Sequence, residues 1–248
     1  MSISWAAGEW PGRRGDPGPA AGKLSFKEGI MIKVTWLGHS AVLVEGSRTV
    51  VIDPFLTDNP AASISPDKIL KADLVVVTHH HGDHLGDAFS LARSTGAVVV
   101  AIHEVACDAQ AQGLRAEGMN IGGTVEVAGV KVHMVPALHS AEKGSAAGVV
   151  VEMDGRRVYH AGDTGLSYDL RLVGEFFQPD LSLVPIGDRY TMGPASAAKA
   201  VEFIKTKKVV PIHYGTYPII SVDPQEFKKR VGRMAEVIIL SPGQSTTV

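Results

Sequence analysis

Five residues, Asp73–Val77, run directly into Thr78-His79-His80-His81-Gly82-Asp83-His84. After Asp73 the run is wholly apolar and β-branched or leucine, the pattern of a strand buried on both faces. Such a strand needs a sheet around it and layers covering that sheet. The loop at its carboxyl end is where α/β proteins place their sites. Here that loop carries four nitrogen or oxygen donors within six residues: His79, His81, Asp83 and His84. In extended chain, side chains two apart point the same way, so His79 and His81 can grip one ion together. Gly82 lets the chain bend, so that Asp83 and His84 can face a second. His80 should point away from the pair and is read as structural. Imidazole and carboxylate without thiolate favour Zn or Mn, with Fe or Ni also compatible.

Three further donors each sit just past an expected strand. His139 follows Lys131–Val135, Asp163 follows Arg157–His160, and His213 follows Lys208–Pro211. Singly, each reads as a loop residue or turn former. Together with the first cluster they complete two three-donor sites and leave one carboxylate over to bridge.

The surrounding pattern is strands, a crossover, then strands again. Ile32–Trp36, Ala41–Glu45, Thr49–Asp53 and Ala97–Ala101 read as strands with Asp73–Val77, and Asp87–Ser94 as a helix. The second half repeats the scheme. One hairpin pairs Val125–Val127 with Lys131–Val135 through Ala128-Gly129, and another pairs Gly148–Met153 with Arg157–His160 through Asp154-Gly155. Later strands are Leu181–Val184, Lys208–Pro211 and Glu236–Leu240. Helices fall near 168–177, 194–206 and 224–234, with Pro194 and Pro224 in first turns and Asp223 as a cap. This predicts two mixed sheets packed face to face with helices outside.

Residues 1–30 are rich in Gly and Pro without periodicity and are expected to form a disordered N-terminal extension, leaving 31–248 as one domain. The net charge of −2 gives no electrostatic footprint for nucleic acid, and no membrane span is expected. A single cysteine, Cys107, excludes an intrachain disulfide and points to a reducing, cytoplasmic setting. Cys107 lies in a helix-like stretch and is expected to be a buried core thiol. A homo-oligomer is compatible with all of this.

The run His79-x-His81-x-Asp83-His84, with the later His, Gly-Asp-Thr and His motifs, resembles the metallo-β-lactamase superfamily from about Met31 to the end. The resemblance implies an αββα sandwich with metals in a cleft at one edge. It also implies His79, His81 and His139 on one ion, Asp83, His84 and His213 on the other, and Asp163 bridging. The superfamily's di-iron redox members carry glutamate where this chain has His81, which favours hydrolysis. Trp36-Leu-Gly-His39-Ser40, Ile52-Asp53-Pro54-Phe55, His160-Ala-Gly-Asp163-Thr164 and Pro185-Ile-Gly-Asp188-x-x-Thr191-Met192-Gly193 are similar to a family of bacterial and archaeal metal-dependent hydrolases. That family is similar in turn to manganese-dependent ascorbate 6-phosphate lactonases and, more distantly, to phospholipase-D-type enzymes acting on N-acyl phosphatidylethanolamine. Its members start near Met31.

Several residues remain open between two roles. Asp53 is a turn former before Pro54 or, as the resemblance suggests, a carboxylate that orients a ligand histidine. His39 is expected behind the ligands or in proton transfer, as one candidate for protonating the leaving group. His160 is expected to pack at a strand end, and His103 and His133 to be structural or solvent-facing. The loop Asp188–Gly193 suits substrate contact, with Arg189, Tyr190 and Thr191 as candidates, or is a surface turn. Tyr214 and Thr216 flank His213 and are candidates for the same cleft.

Two cations ~3.5–4 Å apart can share a hydroxide of lowered pKa. The expected activity is therefore metal-dependent hydrolysis of a small ester, lactone or phosphodiester, with an anionic substrate favoured. Asp163 would bridge and Asp83 would handle the transferred proton. The alternatives are a metallo-nuclease with the same motif and a metal-binding protein without turnover.

Overall fold

The computed structural model of the protein describes residues 31–248. The expected extension 1–30 lies outside the described residues. Two seven-stranded sheets face each other. The first holds β1 (Lys33–Gly38), β2 (Ala41–Glu45), β3 (Thr49–Ile52), β4 (Leu74–Val76), β5 (Val98–Ile102) and β6 (Ala116–Met119) side by side in chain order. The second holds β7 (Thr124–Val127), β8 (Val130–Pro136), β9 (Ala147–Met153), β10 (Arg156–His160), β11 (Leu181–Pro185), β12 (Lys208–Ile212) and β13 (Glu236–Val237). A last strand, β14 (Ser245–Thr247), crosses back to pair with β1.

The halves repeat one plan. β1, β2 and β3 form an antiparallel meander and β4, β5 and β6 continue in parallel. β8, β9 and β10 meander and β11, β12 and β13 continue in parallel. Both expected hairpin turns are present with positive φ at both loop residues, Ala128 and Gly129, then Asp154 and Gly155. That is the turn geometry matching the twist of paired strands.

Alternation along the strands builds the layers. Val149, Val151 and Met153 of β9 face the core between the sheets, while Val150 faces the other way. Leu181 and Leu183 of β11 and Val210 and Ile212 of β12 join the inter-sheet core; Val184 and Val209 point outward. That outer face is covered by α4 (Asp169–Phe177), α5 (Pro194–Ile204) and α6 (Pro224–Val231), through Leu170, Val173, Val201, Ile204 and Phe227. On the far side α2 (Ala88–Thr95) and α3 (His103–Ala111) cover β4, β5 and β6. The one-turn α1 (Gly82–Leu85) sits at the edge. The result is the expected αββα sandwich. Pro194 and Pro224 lie in the first turns of their helices, and the Asp223 side chain accepts from the backbone N–H of Gln225.

Two expectations are corrected, and two strands are added. Cys107 is exposed, because it falls on the solvent face of α3 while Val105, Ala106 and Ala109 take the buried face. The strand expected over Glu236–Leu240 ends at Val237, where the chain leaves the second sheet to reach β1; Gly243 already donates to the Trp36 carbonyl. The edge strands β6 and β14 were not apparent from hydrophobic pattern.

Candidate metal centre

The donors gather where strands end. β4 delivers His79, His81 and the turn α1 with Asp83 and His84; β8 delivers His139, β10 delivers Asp163 and β12 delivers His213. Asp53 follows β3, and His39 stands between β1 and β2. His39, Asp53 and His213 all adopt positive φ, at 55°, 46° and 54°. Left-handed backbone at non-glycine residues costs energy and persists where surrounding contacts enforce it. The His39 carbonyl accepts both the His213 N–H and the Trp36 indole N–H, tying the two sheets together at this edge. Gly162 lets Asp163 approach: a Cβ there would lie 2.5 Å from the Ala147 carbonyl oxygen.

The side chains fall into linked groups. His79, His81 and His139 bring one donor atom each within 4.8 Å of one another, as do His39, Asp83, His84 and His213. His79, His84 and Asp163 form a third such group joining the first two. Asp163 lies between them. One of its oxygens is 3.3 Å from His84 Nε2; the other is 3.1 Å from His213 Nε2 and 3.6 Å from His139 Nε2. His80 points elsewhere, to Glu142.

Hydrogen bonds behind these residues fix which nitrogens face inward. Asp53 is fully buried and accepts from the Thr78 backbone N–H at 2.8 Å, the Thr78 hydroxyl at 2.7 Å and His84 Nδ1 at 2.7 Å. The Thr78 hydroxyl has thereby used its proton, so its 3.0 Å contact with His79 Nδ1 has the ring N–H donating. His79 and His84 therefore both turn Nε2 toward the cluster. Asp53 thus holds both the Thr78 hydroxyl and the His84 ring in place, beyond what a turn alone requires.

The donor set passes a direct test of metal fit. His84 Nε2, His213 Nε2 and one Asp163 oxygen are buried and converge on each other without a well-aligned hydrogen bond among them. Unpaired buried polar atoms are costly unless something binds them. Imidazole and carboxylate donors in this number suit a divalent cation. His39 differs from the others. Burial pushes it down to about 4, with Asp83 opposing, so the ring is neutral. A carboxylate only accepts, so Nε2 carries the proton to Asp83 at 3.0 Å and Nδ1 accepts from the Thr216 hydroxyl at 2.8 Å. Both nitrogens are occupied, and His39 braces Asp83 from behind.

The charges show what the cluster lacks. Burial would lower His213, but Asp163 and Asp83 together lift it to about 9. Burial would likewise lower His84, and the Asp163 and Asp53 carboxylates outweigh it, raising it well above 6.5. Burial would raise Asp163, and the charges on His84 and His213 hold it well below the carboxylate range. In the ion-free protein, protons supply the positive charge these carboxylates demand; bound cations must displace them.

The cleft over the cluster, about 150 Å³, is lined by His81, Asp83, His139, Ser140, Asp163, Tyr190 and His213. Of the residues expected at substrate, Tyr190 is thus at the wall. Arg189 is exposed and makes no ion pair with any described residue, and the Thr191 side chain turns to the Met192 carbonyl. Tyr214 stacks on Trp36 at 5.4 Å, beneath the site rather than in the cleft. His160 is buried at its strand end, donating from Nε2 to the Ser40 carbonyl and accepting from Gly162 N–H at Nδ1. His103 is exposed; His133 is half-buried and bonds Thr124.

Thr78 and Thr164 escaped the sequence reading. Thr164 accepts from Leu138 N–H and donates to the Gly165 carbonyl, while Gly165 N–H meets the Leu138 carbonyl, so the Asp163 and His139 loops are stapled together. The available signal was a threonine flanking a donor at the end of a buried strand.

Comparison with known proteins shows the family. The family described as "Beta-lactamase superfamily domain" matches residues 48–214. The chain is 51% identical over 228 residues to a UPF0173 metal-dependent hydrolase of Methanopyrus kandleri, covering 86% of this chain and 99% of the relative. It is 52% identical over 222 residues to another from Thermococcus onnurineus, covering 86% and 98%. Among solved structures it is similar to Igni18, a metallo hydrolase from Ignicoccus hospitalis, at 40% identity and a TM-score of 0.84, covering 88% of this chain and 98% of that one.

Proposed function

Because the chain belongs to the β-lactamase superfamily, among its UPF0173 metal-dependent hydrolases, we propose that it binds two divalent ions, Zn or Mn, and hydrolyses a small ester, lactone or phosphodiester. The observation carrying this reading is Asp163. Its carboxylate stands within 3.6 Å of His139 from one donor group and of His84 and His213 from the other. A carboxylate so placed would be shared by two ions. His79, His81 and His139 would hold one, and Asp83, His84 and His213 the other.

Cations bound there would supply an acidified water and polarise the scissile carbonyl or phosphoryl group. The chain's own residues do the rest. Asp83 lines the cleft with its carboxylate 36% exposed, placed to take the proton given up as water attacks. His39 holds one Asp83 oxygen and fixes its orientation without lining the cleft itself. Tyr190 stands at the wall, where its phenol can contact the leaving group. The small cleft and the net charge of −2 favour a small molecule over a polyanion.

The test is metal content together with turnover. Elemental analysis should find up to two transition-metal ions per chain. Chromogenic esters, lactones and phosphodiesters should be cleaved in a chelator-sensitive way. Protein that carries no metal, or hydrolysis indifferent to chelation, overturns the proposal.

A further inference from the structure

The cleft over the donor cluster holds about 150 Å³, half or less of the ~300–1,000 Å³ usual for small-molecule sites. It has room for the reacting group of a substrate and little more. A second cavity, also about 150 Å³, opens between α4 and β8. Its lining is mostly apolar: Met134, Val135, Pro136, Leu172, Phe176 and Phe177 carry it, with Asp169 and His133 at its edges and no Lys or Arg. That is the volume that accommodates a benzene ring in an apolar protein cavity.

The two cavities share one stretch of chain. Pro136 lines the apolar groove and His139 lines the donor cleft. Three residues of chain span at most roughly 11 Å, so the backbones lining the two cavities come that close or closer. Between them stands Leu138, 62% exposed, with its backbone stapled to the Asp163 loop. The groove's outer wall is as unusual. Leu172 and Phe176, four residues apart on α4, line it and are 53% and 81% exposed. A helix whose Leu170 and Val173 already face the core would ordinarily carry polar side chains on that flank.

We infer that the substrate carries an apolar arm, of acyl, alkyl or aryl chemistry and about six carbons in reach, which passes over Leu138 into the groove between α4 and β8 while its ester or phosphoester sits over Asp163. This rests on the hydrolytic reading above and adds the substrate's second half. The occupant follows from continuity: one short stretch of chain, 136–139, lines both the groove and the cleft where chemistry is supported, and that cleft is small for a whole substrate. Leu138, Leu172 and Phe176 are the residues that set the preference.

The test uses alkylphosphonates, which present a non-hydrolysable anion to the metal centre and a chain of chosen length. Calorimetry on the metal-loaded full chain should show hexylphosphonate binding about tenfold to a hundredfold tighter than methylphosphonate, from partial burial of added methylenes. Leu172→Ser and Phe176→Ser lie on an exposed flank and leave the core intact. They should flatten that gradient while methylphosphonate affinity stays the same. A matching series of p-nitrophenyl esters should show the same trend in kcat/KM. If the phosphonate gradient appears but no ester is cleaved, the groove stands and the hydrolytic assignment falls. A flat series in the wild type overturns the inference, as does a gradient unchanged in both variants. Two further results also overturn it, because they show the apolar flank serving another surface. One is a flat series with wild-type binding to phosphatidylcholine vesicles that Phe176→Ser removes. The other is a flat series with a dimer that Phe176→Ser dissociates.

Discussion

His84 donates its Nδ1 proton to Asp53 at 2.7 Å, and this contact decides which face of the ring is left for a metal. The same carboxylate holds Thr78, and Thr78 in turn holds His79. One buried aspartate therefore presets ligands belonging to both expected ions. Asp53→Asn offers one acceptor oxygen where three donors converge. It should weaken metal affinity about 10- to 100-fold, the usual cost of losing an orienting partner. Competition titration with a chelating dye measures this. Unaltered affinity would return Asp53 to the role of a turn residue at its positive φ.

Asp163→Ala should have a different signature. Asp53→Asn loosens both ions, whereas removing Asp163 deletes the donor placed between them. Elemental analysis should show occupancy reduced by one ion or more per chain, and hydrolysis should fall at least about 10³-fold, as befits loss of charge stabilisation at the reacting centre. Retention of both ions with full turnover would exclude the bridge.

The ion-free protein should respond to pH in a definite direction. His213 is lifted from 6.5 to about 9 in the fold, and His84 moves the same way. A group whose folded pKa is raised contributes stability that is complete below its unfolded pKa and disappears as pH climbs through the folded one. For His213 that window runs from 6.5 to about 9 and amounts to about 3 kcal/mol. In EDTA, Tm should drop by about 5–10 °C between pH 6.5 and 9. Protein saturated with Zn or Mn should not show this drop, because the cations replace the protons. Apparent metal affinity should rise over the same range. A chelated protein as stable at pH 9 as at pH 6.5 would mean that protons do not balance these carboxylates.

Much of this site was legible because its ligands are polar groups in apolar settings. His79 and Asp83 follow a run of buried valines, and each later donor follows the end of a strand, β8, β10 or β12. The repeated plan of meander and parallel strands also shows in the spacing of turn glycines and β-branched runs. What escaped was whatever depends on cross-chain contact. β6, with the sequence Ala-Glu-Gly-Met, has no alternation, and it is a strand because β5 offers it a ladder. Cys107 looked apolar in composition but falls on the wrong side of a helix whose burial is set by β5 and β6. The direction of a histidine ring could not be read at all until Asp53, 31 residues from His84, was seen beside it.

Arg189 gives the clearest separation of two substrate classes. It follows Asp188, which turns with φ 71°, and precedes Tyr190, which reaches the cleft wall. Its guanidinium is exposed and pairs with no described carboxylate. A cation in that position, one residue from the cleft, is available to an anionic group on the substrate at no cost of breaking an existing pair. The loop itself is held independently of the side chain. Asp188 N–H meets the Met192 carbonyl, Thr191 N–H meets the Asp188 carbonyl, and Met192 N–H meets the Thr164 carbonyl. Truncation at Arg189 should therefore leave the loop and the donor cluster in place. We expect Arg189→Ala to raise KM about tenfold or more for a phosphorylated lactone or a phosphodiester, roughly the worth of one charge-assisted contact. Neutral esters of similar size should change by less than about twofold, with kcat and metal content unchanged for both. Equal, small effects on charged and neutral substrates would place Arg189 in solvent and leave selection to the apolar flank of α4.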